Sequence, residues 1–247
     1  MLGSWGLKYG PSSALFINGR AYRWADLEKE GRLQELRSCP AFARRDALGN
    51  LAVLELIAPQ TADEIGEIWQ VKASPNCVRK GDRLELQMRA PRGRRAYFVI
   101  TGVAPEIEAA ETAPGVYTAI YKVPEADVKA ARVIGVWKDG ERECRRVGTA
   151  VDISSREPNL VEYGPLQRTD GEEVLLFAGY RAWGTEVVPQ LVRVWIGERE
   201  ITHRAVCTER NMVCRLLPQE IGQRPLFCIK ITDRCGASAK VYWRWDN

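Results

Sequence analysis

The sequence predicts a mainly β chain: two tandem antiparallel β-sandwich modules preceded by a small α+β or β segment. Three observations carry this. In the last quarter, Leu191 to Asn247, apolar residues recur at every second position, the period of a half-buried strand. From Leu84 onward, short apolar runs follow one another at roughly 8–12-residue spacing with turn residues between them. Leu191 to Asn247 has no helical alternative of comparable quality.

The first segment, residues 1–68, begins with a predicted hairpin. Ala14 to Ile17 and Arg20 to Trp24 flank Asn18-Gly19, a pair that favours the two-residue hairpin turn. Leu27, Leu33 and Leu36 stand at roughly helical spacing in a charged stretch, predicting a helix or two short turns. Asn50 to Pro59 reads as a buried strand, and Thr61 to Trp69 as a linker or short helical turn. So small a segment is expected to pack on the next module, because small domains bury too little surface alone.

Residues 70–153 form the second segment. Leu84, Leu86 and Met88 alternate with Glu85 and Gln87, and Ala96, Phe98 and Ile100 follow an Arg-Gly turn. Tyr117 to Val123 alternates after Pro114-Gly115. Val133 to Trp137 leads through Asp139-Gly140, a strong hairpin turn, to Cys144–Val147, and Val151 and Ile153 close the module.

Ser154 to Pro158 is small and polar and marks the next boundary. In residues 157–247, Val174 to Phe177 reads as a strand and Gly179 to Glu186 as a loop. Val192, Val194 and Ile196 then alternate up to Gly197. Phe227, Ile229 and Ile231 alternate up to a turn over Asp233–Gly236, and Ala239, Val241, Trp243 and Trp245 follow it.

Several of these runs resemble bacterial immunoglobulin-like modules of surface and secreted proteins. They are Val78-Arg-Lys-Gly-Asp-Arg-Leu, Pro114 to Pro124, Trp137-Lys-Asp-Gly, Val192-Arg-Val-Trp-Ile-Gly with Ile201-Thr202, and Ile229-Lys-Ile-Thr-Asp-Arg-Cys-Gly. In such modules the last run commonly ends Asp-x-Ala-Gly-Asn. Here Cys235 stands for the Ala and Ala237 for the Asn. The resemblance covers residues 70–247 and implies two immunoglobulin-like antiparallel β-sandwiches. It specifies fold far better than function.

Composition narrows the function classes. An apolar share of 45% supports packed cores, and a net charge of +4 gives no reason by itself to propose nucleic acid. No apolar run reaches the length of a membrane span. Met1 to Ser13 contains no apolar stretch of the kind a signal peptide needs. Gly-rich phosphate loops are absent, and no cofactor is expected.

One histidine, His203, rules out multi-histidine metal sites and makes any triad depend on it. The carboxylates, including Glu106, Glu108, Glu111, Asp170, Glu172 and Glu173, read as solvated loops. They lack the Asp-x-Asp-x-Asp spacing of a calcium loop. No catalytic or metal-binding residue is assigned.

Four of the seven cysteines, Cys207, Cys214, Cys228 and Cys235, fall in the final 41 residues. They are candidate disulfide partners, with three connectivities open, or partly buried free thiols. Alternation puts Cys228 on the face opposite Phe227 and Ile229, outside the core. Zinc is disfavoured because no close Cys-x-x-Cys spacing occurs.

Two hairpin tips carry the arginines Arg92, Arg94, Arg95 and Arg142, Arg145, Arg146. They read as solvated, edge-protecting turns or as a contact for an acidic polymer or protein face. Trp137, Trp195, Trp243 and Trp245 read as sandwich packing. Trp183, in a loop flanked by glycines, with Tyr180 beside it, is the candidate exposed platform for a sugar or a protein.

The expected function is therefore a non-enzymatic, extracytoplasmic structural or interaction module at a cell surface. One variant is a filament or surface-layer subunit that donates its N-terminal residues, with Trp5, Leu7 and Tyr9, to an edge strand of a neighbour. The alternative is a carbohydrate-binding accessory module on Tyr180 and Trp183. A hydrolase with two carboxylates is the remaining class. Expected partners are protein, through self-association or a surface contact, or glycan, with no nucleic acid and no membrane span.

Overall fold

A computed structural model describes residues 13–45, 50–167, 173–221 and 225–244. They form two compact units. The first comprises residues 13–76, 81–124 and 130–151, and the second residues 77–80, 125–129 and 152–244, within the described ranges. The N-terminal donor segment of the sequence reading lies outside the described residues, as do Trp245, Asp170 and Glu172.

Unit 1 begins with strands β1 (Ala14–Ile17) and β2 (Arg20–Tyr22), paired so that Ile17 faces Arg20. Asn18 and Gly19 join them with φ of 49° and 72°, the left-handed pair a tight hairpin turn requires and the reason for Asn-Gly there. A short helix α1 (Trp24–Lys29) and one turn of 3₁₀ helix (Glu35–Ser38) bury Leu27 and Leu36. Strands β3 (Ala41–Arg45) and β4 (Leu51–Leu56) complete a sheet of order β2-β1-β4-β3. β3 has no counterpart in the sequence reading, because it is an exposed edge with Phe42 as its one large apolar residue. Thr61 caps helix α2 (Ala62–Ile65) reciprocally with Glu64.

Eight strands follow: β5 (Gln70–Ser74), β6 (Cys77–Arg79), β7 (Arg83–Arg89), β8 (Arg95–Ile100), β9 (Ala104–Ala113), β10 (Val116–Lys122), β11 (Val128–Asp139) and β12 (Arg142–Ser154). The sandwich layers are β5-β7-β10 and β8-β11-β12, and β9 runs from one to the other. Its first half pairs with β8 and its last residues with β10. Glu106, Glu108 and Glu111 are therefore on a strand and not on a loop. The reading missed it because Ile107 is its one large apolar residue, set among small and acidic ones.

β8 and β11 are buried on both faces, so their sequences read as nearly continuous apolar runs rather than alternating ones. Phe98, Ile100 and Val133 face the sandwich interior, while Tyr97, Val99, Ile134 and Val136 form a second cluster with Ile57 and Val147. Polar groups secure this contact between the N-terminal segment and the sandwich. The Glu55 carboxylate accepts from the Gly102 amide at 3.0 Å. Gln60 donates to the Arg145 carbonyl at 2.9 Å and accepts from the Val147 amide at 2.8 Å, satisfying the backbone of β12 there.

Unit 2 contains β13 (Asn159–Gln167), β14 (Val174–Arg181), β15 (Arg193–Ile196), β16 (Arg199–Glu200), β17 (Ala205–Cys207), β18 (Asn211–Leu216), β19 (Leu226–Thr232) and β20 (Ser238–Arg244), with helix α3 (Pro218–Ile221) before β19. Its sheets have the orders β13-β14-β18-β17 and β16-β15-β19-β20. The first, second, fifth and sixth strands thus oppose the third, fourth, seventh and eighth, which is the strand order of an immunoglobulin sandwich. Between the sheets lie Val174, Leu176, Val194, Met212, Phe227 and Ile229, each buried. Full burial of each large side chain contributes about 1.5–3 kcal/mol before entropy is subtracted. Trp243 stacks on Phe227 at 5.4 Å and meets Tyr163 at 4.9 Å.

Candidate functional site

One end of unit 2 gathers the chain segments 77–80, 125–129 and 152–156. β6 pairs in parallel with the last residues of β12, Cys77 opposite Asp152. The turn after β19 presents Cys235. Asp233, 1% exposed, accepts from the Ala237 amide at 2.9 Å and shapes this turn. Burial pushes its carboxyl above the usual range, with Arg79 acting in the opposite sense. Arg234 reaches the buried Asp152 carboxylate at 3.2 Å. The turn so held brings Cys235 within 5.1 Å of Cys77, Cα to Cα, and the two form a disulfide.

The surrounding contacts form a collar. Asp127 pairs with Arg156 at 2.8 Å and accepts from the amide and hydroxyl of Ser155. Lys129 pairs with Glu186. Gly184, with φ +66°, leaves no room for a side chain: a Cβ there would stand 1.8 Å from the Ile153 carbonyl oxygen.

The cysteine expectation is thereby corrected. Cys235 pairs with Cys77, a residue outside the candidate set, while Cys207, Cys214 and Cys228 are free thiols. Cys214 points into the core and faces Ala205 across the β17–β18 hairpin, whereas Cys207 faces Met212, so the two are out of register with each other. Cys228 lies on the outer sheet face as alternation requires, yet it is 3% exposed because Trp195 and Tyr242 flank it on neighbouring strands. Burial pushes all three thiols up in pKa, which suppresses the reactive thiolate.

Tyr180 and Trp183 do not form an exposed pair. Tyr180 is buried, and its hydroxyl reaches the carbonyls of Thr208 and Asn211 at 2.6 and 2.7 Å. Trp183 is half-buried, with the guanidinium groups of Arg156 and Arg181 over its ring at 4.4 and 3.9 Å from the centroid.

The two arginine tips meet at one end of β8, β11 and β12, but carboxylates tie down three of the six cations. Arg94 pairs with Asp139 at 2.8 Å, and Arg95 with Glu106 and Glu108 at 3.2 and 3.4 Å. Arg145 pairs with Glu143 at 2.8 Å, and Arg146 donates to the Ile68 carbonyl at 2.8 Å. Arg92 and Arg142 are exposed. His203 is exposed in a 3₁₀ turn (Thr202–Arg204). Among the described residues no group of three or more His, Cys, Asp or Glu side chains is placed to hold a metal, and no helix is long and apolar enough to cross a membrane.

A feature that sequence reasoning missed lies on the outer face of sheet β16-β15-β19-β20. Arg193 stands opposite Lys230, and Lys230 opposite Lys240. In the adjacent row Trp195 stands opposite Cys228 and Cys228 opposite Tyr242. The Lys240 ammonium is 5.1 Å from the centre of the Trp195 ring and 5.0 Å from that of Tyr242. Its bond with the Tyr242 hydroxyl holds its pKa above the usual range. The signal was available: a hairpin centred on Cys235 pairs residues equally spaced on either side, so Lys230 meets Lys240.

The strand order defines an immunoglobulin-type β-sandwich fold. No protein-family model and no protein of curated function matches the sequence. Among solved structures, a three-domain titin segment (I67–I69, Glu-to-Ala variant) aligns over 77% of this chain and 67% of its own length, with 9% identity and a TM-score of 0.43. The full ectodomain of mouse nectin-like molecule 4, with three immunoglobulin domains, aligns over 85% and 74%, with 12% identity and a TM-score of 0.43. Titin A168–A169 aligns over 74% and 96%, with 12% identity and a TM-score of 0.37. With all three scores below 0.5, the fold assignment rests on the strand order.

Proposed function

We propose that this chain is a non-enzymatic, extracytoplasmic β-sandwich protein that serves as a structural or interaction module at a cell surface. The Cys77–Cys235 disulfide carries the reading, because such bonds persist in oxidising compartments. The buried thiols of Cys214 and Cys228, whose pKa burial raises, and the exposed position of the single histidine supply no activated nucleophile to set against it. In this reading the chain is organised as segments 1–68, 70–153 and 157–247, and self-association through the N-terminal residues is its assembly variant.

The test is mass analysis of protein taken from its producing cells and alkylated without reduction. The expected result is one Cys77–Cys235 disulfide and alkylation of Cys39, Cys144, Cys207, Cys214 and Cys228. Seven alkylated thiols would overturn the extracytoplasmic reading. Light scattering on full-length chain and on chain lacking Met1 to Pro11 tests assembly. A monomer in both cases sinks it.

A further inference from the structure

Like charges directly opposite one another across a sheet destabilise it. Unit 2 nevertheless sets three cations, Arg193, Lys230 and Lys240, in one row across three adjacent strands. Glu200 pairs with Arg193, at one end of the row, at 3.7 Å. Lys230, in the middle, is exposed, and its two cross-strand partners are both basic. No packing requirement explains this row, since an outward-facing strand position accepts any polar residue.

The next row makes the face specific. Tyr242 is 54% exposed, Trp195 is half-buried beside it, and the Lys240 ammonium sits between their rings. Aromatic rings offer an apolar surface with a polar edge, suited to the faces of sugar rings. Adjacent strands are about 4.8 Å apart, so the cations form a line with steps of about one sugar ring. Arg193, whose guanidinium donates to the Gln190 and Val192 carbonyls at 2.6 and 2.9 Å, also pairs with a carboxylate, that of Glu200 at 3.7 Å.

We propose that the outer face of sheet β16-β15-β19-β20 binds a polysaccharide of uronic acids, with its carboxylates on Arg193, Lys230 and Lys240 and its rings against Trp195 and Tyr242. The choice of polysaccharide over a single-stranded nucleic acid, which also pairs cations with aromatics, rests on the extracytoplasmic reading above.

Calorimetry on the full-length chain tests this, with an oligogalacturonate, a heparin oligosaccharide, a neutral cello-oligosaccharide of equal length and a single-stranded DNA oligomer as probes. The expected result is binding of the oligogalacturonate that weakens with added salt, with no binding of the neutral sugar. Lys230→Glu and Tyr242→Ala are each expected to weaken it about tenfold or more, while Arg92→Gln, in unit 1, leaves it unchanged. Urea denaturation separates binding from folding. Lys230→Glu breaks the like-charge row and is expected to leave the fold at least as stable. No oligogalacturonate binding, binding indifferent to Lys230→Glu, binding of the sulfated sugar alone, or equal binding of neutral sugar or DNA would overturn the proposal. None of these results bears on the disulfide mapping that tests the broader reading.

Discussion

Cys77 and Cys235, 158 residues apart in sequence, are joined by a disulfide that holds strand β6 to the turn between β19 and β20. The bond lies outside the inter-sheet core of the second sandwich, whose interior thiol, Cys214, is free. Closing so long a loop removes much freedom from the unfolded chain. Cys77→Ser is therefore expected to cost about 2–5 kcal/mol, read as a lower urea midpoint, and reductant should lower wild-type protein to the same level. Equal midpoints with and without reductant would show that the bond contributes nothing.

Tyr180 supplies a second prediction. Tyr180→Phe keeps the ring but removes the hydroxyl donor of the Thr208 carbonyl, while the Asn211 carbonyl keeps the amide and hydroxyl of Thr208. A cost of about 1–3 kcal/mol is expected from such a loss at a buried site. Burial, with the neighbouring Cys207 thiol second, pushes the phenol pKa well above its usual value near 10. The neutral form is thus favoured in the fold. The stability it contributes is fully present below about pH 10 and is lost as pH rises beyond, because the unfolded chain ionises first. Ultraviolet titration should show this tyrosine ionising only with unfolding. A phenolate signal from Tyr180 in folded protein near pH 10 would contradict the geometry.

Asn18 combines two roles that substitution can separate. Its backbone takes a φ of 49° in the hairpin turn, and its side chain exchanges two 3.1 Å bonds with the backbone of Ala58. Asn18→Gly relieves the backbone demand but leaves the Ala58 groups unpaired, so about 1–3 kcal/mol should be lost. Asn18→Ala adds the cost of a left-handed backbone and should lose about 1 kcal/mol more. Equal midpoints for the two variants would remove the backbone role.

Glu55 is predicted to make stability pH-dependent. Burial raises its pKa, opposed by the Gly102 amide and by Arg145. A raised folded pKa means that the stability from this group is present below the unfolded value near 4.3 and declines as pH rises through the folded value. Glu55→Gln keeps an acceptor for the Gly102 amide and removes the buried charge. The expected outcome is a smaller fall in stability between pH 4 and pH 8 than in wild type, measured by denaturant midpoints. An unchanged pH profile would assign the dependence elsewhere.

Where alternation was strong, local sequence and structure agree. Leu84, Leu86 and Met88 line one face of β7, and Phe227, Ile229 and Ile231 one face of β19, with turns at Asn18-Gly19 and Asp139-Gly140 between strands. Strand β9 was illegible because Ile107 is its one large apolar residue and Ala109-Ala110 break its alternation, and β3 because it is short and exposed. Of the candidate site residues, Tyr180 was misread because its hydroxyl partners, Thr208 and Asn211, come from another hairpin.

The sequence by itself determined the period-two strands, the positive-φ turns and the inward face of each sheet, because these depend on residues a few positions apart. Tertiary structure decided which of seven cysteines bond, that Arg94, Arg95 and Arg145 are held by carboxylates, and that Arg193, Lys230 and Lys240 share one row. Those outcomes depend on register and on connections between strands distant in the chain, and an alternating pattern carries no record of which strand lies beside it.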